Sequence, residues 1–279
     1  MSNNLMKRII TALTIFAIVI YVVLYSNEVV VRLFLNFIIF LSAFELSKMC
    51  FYNNNDTEGN NKKHYLFITT IFLSILFCNL LIKNDIWQYF IIISIILWGF
   101  IYKYIFCIGE VNKINNFSYL YFFVYVLALS LFYCSLYVLY KLSPSSLLFL
   151  ITLVALSDTS AYFIGKSFGK RSFFNQISPN KTLEGFLGSL FVCFVFVVLF
   201  CFVRDFDLYF SLKLIIASIF IVMISSIGDL SVSLVKRFSG KKDTGNILPG
   251  HGGILDRVDS ILPAAPIFLI FSYFLSVII

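Results

Sequence analysis

Nine times along this chain an apolar run of about 20 residues recurs, each closed by charges, Asn clusters or Pro and Gly. An α-helix rises 1.5 Å per residue, so about 20 such residues are what roughly 30 Å of hydrocarbon requires. The runs extend from Ile9 to Ser26, Val29 to Lys48, Tyr65 to Ile82, Ile86 to Phe106, Tyr119 to Tyr140, Ser146 to Lys166, Thr182 to Val203, Leu208 to Ser233 and Ser260 to Ile279. The predicted fold class is therefore all-α, a polytopic integral membrane protein with about nine transmembrane helices. Composition agrees: 60% of the 279 residues are hydrophobic and 13% charged, against about 45–50% and about 25% in soluble domains. A water-soluble globule, a disordered chain and a nucleic-acid binder are all excluded.

Lys7-Arg8 ahead of the first run resembles the start of a signal peptide, but no small-x-small cleavage site follows, so a retained helix is expected. With nine spans the loops alternate sides, and 16 of the 21 Lys and Arg residues fall on one side, leaving Arg32, Lys83, Lys141, Arg204 and Lys213. The positive-inside rule makes the richer side cytoplasmic, with the N-terminus inside and the C-terminus outside. The stretch from Phe51 to His64 is Asn-rich and polar, as a loop without chemistry of its own would be. Six cysteines form no C-x-x-C pair and sit mostly in apolar runs, where they act as small hydrophobes. The chain divides into residues 1–145, mostly scaffold with a surface for lipid or a second copy, and residues 146–279, a catalytic region with loops 166–182 and 236–259.

Ionisable residues in or beside a span cost about 2.5–3.5 kcal/mol each at mid-membrane, so they need a partner or a function. They gather in the second half. Asp158 shares a helix face with Tyr162 and Gly165, with Gly169 one turn on. This is either a glycine-lined groove beside a carboxylate or a close helix-packing face. In SPNKTLEG, Ser178 to Gly185, a turn at Ser178-Pro179 leads to a helix start at Thr182, where Lys181 and free N–H groups suit a phosphate. Asp229, Ser233 and Lys236 then stand at i, i+4 and i+7 on one stripe, with Arg237 adjacent.

The segment from Phe238 to Asp259, FSGKKDTGNILPGHGGILDRVD, places two lysines and five glycines between a basic helix end and a pair of carboxylates. Glycines let backbone N–H groups approach an anion, and Asp256 and Asp259, at i and i+3 on the first turn of the last helix, can face a divalent cation together. His251 suits phosphate contact better than zinc, since no second His or nearby Cys completes a tetrahedral set. These residues converge on metal-assisted phosphate chemistry at the cytoplasmic interface.

Ser233 to Asp259 resembles the signature of the phosphatidate cytidylyltransferases, or CDP-diacylglycerol synthases. DTSAYFIGKSFGK from Asp158 and SPNKTLEG from Ser178 resemble further segments of that family, in order and spacing. The resemblance covers roughly the last 120 residues. It implies an enzyme of phospholipid biosynthesis in a bacterial-type inner membrane, a nucleotidyltransferase that converts CTP and phosphatidate to CDP-diacylglycerol and pyrophosphate. It also implies Mg²⁺, with a monovalent cation beside it left open, and a homodimer. The metal would rest on Asp229, Asp256 and Asp259. Asp256, Asp259, Lys236 and Lys242 would carry catalysis, and Ser233, Arg237, His251, Gly252, Gly253, Lys181, Asp158 and Tyr162 would hold substrate. The alternatives are a CTP-dependent polyprenol kinase, which needs a base near its alcohol, and an ion-coupled transporter, which would be expected to show paired repeats.

Overall fold

A computed structural model of the chain describes residues 3–50, 57–107, 118–174, 177–247 and 252–279. Among them the long helices follow the apolar runs: α1 (Asn3–Tyr25), α2 (Glu28–Cys50), α3 (Thr57–Lys83), α4 (Trp87–Cys107), α5 (Ser118–Leu142), α6 (Pro144–Phe168), α7 (Leu183–Val203) and α8 (Leu208–Phe238). The last run divides into a single turn, α9 (Leu255–Val258), and α10 (Ile261–Phe274). Among the described residues, seven helical stretches are long and apolar enough to cross a membrane. Leu13–Tyr25 and Trp87–Lys103 are apolar but shorter.

Local chemistry sets the breaks. Asn27 caps α2 by accepting from the Val30 N–H at 3.0 Å, which separates α1 from α2. Ser143 caps α6 ahead of Pro144, and Asp207 caps α8 by accepting from the Tyr209 and Phe210 N–H groups at 3.1 and 3.2 Å. Asp85 and Asp205, both at φ 53°, turn the chain out of α3 and α7 in the left-handed region.

Two features depart from expectation, and an open alternative is decided. SPNKTLEG does not open on a plain turn: Ser178–Thr182 forms strand β2, antiparallel to β1 (Ser172–Phe174) in a small hairpin between α6 and α7. Asp256 and Asp259 share one helical turn as expected, the Asp259 N–H donating to the Leu255 carbonyl at 3.0 Å, but that turn is set off from the rest of the last span. Pro263 has no N–H to give the Asp259 carbonyl, so the helix breaks between α9 and α10 at Asp259-Ser260. The Gly165 and Gly169 face is a packing surface. A Cβ on Gly165 would meet the Thr182 hydroxyl at 2.9 Å, and one on Gly169 would meet the Thr182 methyl at 2.6 Å. The start of α7 therefore fills the space where a groove was an alternative.

The most buried of the long helices is α5, packed on α2, α3, α4, α6 and α10. Its Tyr125 hydroxyl donates to the Ser231 carbonyl of α8 at 2.9 Å, tying the first half of the chain to the second. The opposite case is α7, which leaves Phe191, Leu199 and Phe202 exposed, as a lipid-facing helix does. Cys78, Cys134, Cys193 and Cys201 are free and buried, in line with a packing role.

Candidate active site

The site forms where the end of α8, the loop after it, α9 and the hairpin strand β2 meet. Gly228 makes the first approach possible: a Cβ there would lie 2.6 Å from Pro263 Cδ and would also strike the Asp259 carbonyl. With hydrogen in its place, α8 lies directly on the α9–α10 break. Asp229, one residue on, is thus brought beside Asp259. Asp158 of α6 completes the group, and the three carboxylates lie within electrostatic range of one another and of Lys181.

Each of these carboxylates has a defined partner. Asp229 pairs with Lys181 of β2 at 2.5 Å and accepts from the Ser233 hydroxyl at 3.2 Å, as the i, i+4 stripe predicts. Asp158 accepts from the Ser260 hydroxyl at 3.2 Å, and Asp259, buried, accepts from the Ser260 N–H at 2.8 Å. The Ser260 in the helix break therefore ties α6 to α10.

Asp256 sits apart from this group. Its Oδ1 accepts from Lys236 at 2.8 Å, and its Oδ2 accepts from the Thr244 N–H at 2.9 Å, the Gly253 N–H at 3.1 Å and the Thr244 hydroxyl at 2.9 Å. This pair is nearly dry, with side chains 14% and 8% exposed, whereas Lys181 and Asp229 are 28% and 29% exposed. Two ion pairs of different depth thus face the same junction. Gly252 turns the chain here at φ 80°, and a side chain on it would press on Asp256 Oδ2 at 2.8 Å.

The loop around residue 177 and the end of α8 meet through Arg237, whose Nε donates to the Ile177 carbonyl at 3.1 Å. Glu184 gathers the Lys170 and Arg171 N–H groups at 3.0 and 3.1 Å. The two charged segments that share one side in the loop count are therefore in contact.

Among the described residues, no three His, Cys, Asp or Glu side chains are close enough to cage a metal ion by themselves. Mg²⁺ seldom needs such a cage, since it is usually held by one or two carboxylates together with substrate phosphates and water. Three neighbouring carboxylates with two lysines beside them therefore fit a hard cation that arrives with a nucleotide.

A model of the cytidylyltransferase family matches residues 6–275. The chain belongs to that family. Among the relatives of this cytidylyltransferase-family chain are the phosphatidate cytidylyltransferases of Bacillus subtilis, 45% identical over 119 residues (43% of this chain and 42% of that one), and Haemophilus influenzae, 41% over 131 (46% of each). That of Staphylococcus haemolyticus is 44% identical over 127 residues, 44% of this chain and 48% of the relative. The matches span less than half the length of these relatives.

Within this cytidylyltransferase-family chain, not every residue singled out from the sequence converges. Tyr162 is 62% exposed, edge-on to Phe163 with Lys166 over its ring, and turned outward. Lys242 is exposed on the loop, the Gly253 N–H is directed at Asp256, and His251 lies outside the described residues. Two residues were missed. Thr244 bridges to Asp256, and Glu45 of α2, 2% exposed, accepts from the Ile254 N–H at 3.0 Å, the Leu255 N–H at 2.9 Å and the Thr244 hydroxyl at 2.9 Å. A signal for Glu45 was available: it is an acid inside an apolar run, where a carboxylate needs a partner.

Proposed function

We propose that the chain is a phosphatidate cytidylyltransferase, forming CDP-diacylglycerol and pyrophosphate from CTP and phosphatidate. Membership of the family and the names of its relatives support the substrates. The single observation that carries the chemistry is the pairing of Lys181 with Asp229 and of Lys236 with Asp256 at one junction. A magnesium–triphosphate brings positive charge for carboxylates and negative charge for lysines. Both pairs can exchange partners on its arrival without leaving a desolvated charge uncompensated.

Asp229 and Asp259 would hold Mg²⁺, with Asp256 joining them once the triphosphate draws Lys236 from it. When bound, the ion neutralises the triphosphate and polarises the phosphorus under attack. Lys236, Lys181 and Lys242 take the phosphate charge, with Arg237, His251, Ser233 and the backbone of Gly252 and Gly253 around them and Asp158 bordering the site. Phosphatidate supplies its own nucleophile, since a phosphomonoester with a second pKa of about 6 is mostly dianionic at neutral pH. Its oxygen attacks the α-phosphorus, the bond to the β-phosphate oxygen breaks, and pyrophosphate leaves. No general base is required, so the work of the side chains is alignment and charge compensation.

The loop charges support an active face toward the cytoplasm of a bacterial inner membrane. The reading includes a homodimer, which crosslinking in membranes would trap. The reaction is tested by supplying membranes that contain the protein with phosphatidate, Mg²⁺ and CTP labelled at either the α or the γ phosphorus. The expected result is α label in the lipid and γ label in pyrophosphate. Transfer of γ label to lipid would identify a kinase, and absence of label from lipid would remove the reading altogether.

A further inference from the structure

Glu45 stands near the C-terminal end of α2, in the half of the chain expected to be scaffold, yet its three hydrogen-bond donors among the described residues belong to the segment between residues 244 and 255. Its Oε1 takes the Ile254 N–H, and its Oε2 takes the Leu255 N–H and the Thr244 hydroxyl. Among the described residues these three contacts satisfy both carboxyl oxygens. The same Thr244 oxygen lies 2.9 Å from Asp256 Oδ2 and 2.9 Å from Glu45 Oε2. The two carboxylates share the single Thr244 hydroxyl proton, and the position of Asp256 is linked through Thr244 to Glu45, 199 residues before Thr244 in sequence.

The fit leaves no slack. A Cβ on Gly245 would meet Glu45 Oε1 at 2.6 Å, and one on Gly253 would run into both Glu45 and the Thr244 hydroxyl. The loop is wrapped around this carboxylate from two sides, at Gly245 and Gly253. We propose that Glu45 is a positioning residue of the transferase: through Thr244 and the Ile254 and Leu255 N–H groups it fixes the Asp256–Lys236 pair in the geometry that receives the metal–nucleotide. The assignment rests on the function proposed above. Outer contacts of this kind typically change metal affinity or activity about 10- to 100-fold when removed.

The test uses the full chain in detergent and two variants. Glu45→Gln keeps the size but turns an NH₂ toward backbone donors, and Thr244→Val removes the bridging hydroxyl at constant shape. Folded protein is read by gel filtration and thermal unfolding. Binding is read without turnover from Mn²⁺ electron paramagnetic resonance in the presence of CTP. The expected result is a folded protein whose Mn²⁺–CTP affinity falls about 10- to 100-fold, with kcat reduced and the KM for phosphatidate unchanged. Glu45→Asp should recover part of both losses. Wild-type affinity and kcat in a folded Glu45→Gln would overturn the assignment. Where Glu45→Gln does not fold, Thr244→Val decides: weakened Mn²⁺–CTP binding supports the role and unchanged binding refutes it. Failure of both variants to fold would make Glu45 purely structural, which also refutes it. Failure of the function itself is distinct, because it shows in the wild type as the wrong label in lipid.

Discussion

Replacing Asp256 by Asn removes one charge from a pair whose side chains are 8% and 14% exposed. The carboxylate has four contacts, one to Lys236 and three to Thr244 and Gly253. An amide offers a single acceptor oxygen. If that oxygen stays with Thr244 and Gly253, the NH₂ meets the Lys236 ammonium; if the amide flips, the NH₂ meets two backbone N–H groups. Breaking a buried pair from one side costs about 3–5 kcal/mol, and the flexible lysine stem, able to swing its ammonium toward water, puts the expectation near 3. At about 2–4 °C per kcal/mol for chains of this order, the detergent-solubilised variant should unfold about 6–12 °C below the wild type. Lys236→Met should cost less, about 1–2 kcal/mol, because three donors still hold the Asp256 carboxylate. The double variant leaves no unpaired charge and sets the amide NH₂ beside an apolar chain, so it should lie within about 1 kcal/mol of the wild type, a coupling of at least about 3 kcal/mol. Activity should nonetheless stay at least about 100-fold down in all three, since each lacks at least one of the two charges that meet a metal–triphosphate. Additive unfolding shifts would refute a dry, coupled pair. Recovery of transfer in the double variant would refute its part in the reaction.

Two further substitutions separate site assembly from helix stability. Gly228→Ala places a methyl 2.6 Å from Pro263 Cδ and against the Asp259 carbonyl, so it should cost about 1–3 kcal/mol and lower kcat by prying Asp229 from Asp259; unfolding scans and label transfer read both effects. Asp207→Ala removes the cap at the far end of α8 and should cost about 1 kcal/mol while leaving kcat and both KM values at wild-type levels in the same assays.

What could be read in advance depended on how far along the chain each interaction reaches. Helix positions were legible because an apolar run long enough to span is a local feature. Asp229 and Ser233 were legible as partners because one helix carries both. The β1–β2 hairpin was not, since three- and five-residue strands carry too little periodicity to compete with the turn signal of Ser178-Pro179. Nor was the break at Asp259-Ser260, which depends on Pro263 withholding an N–H from a carbonyl four residues earlier. The contact of Glu45 with Thr244 spans 199 residues and depends on α2 packing beside α9, which no periodicity encodes. The cost of a buried acid was nevertheless calculable from the run that contains it. A carboxylate placed in an apolar helix at that cost needs partners, and since Lys48, three residues on, lies over the Phe44 ring, its donors come from a distant segment, the loop that holds Asp256.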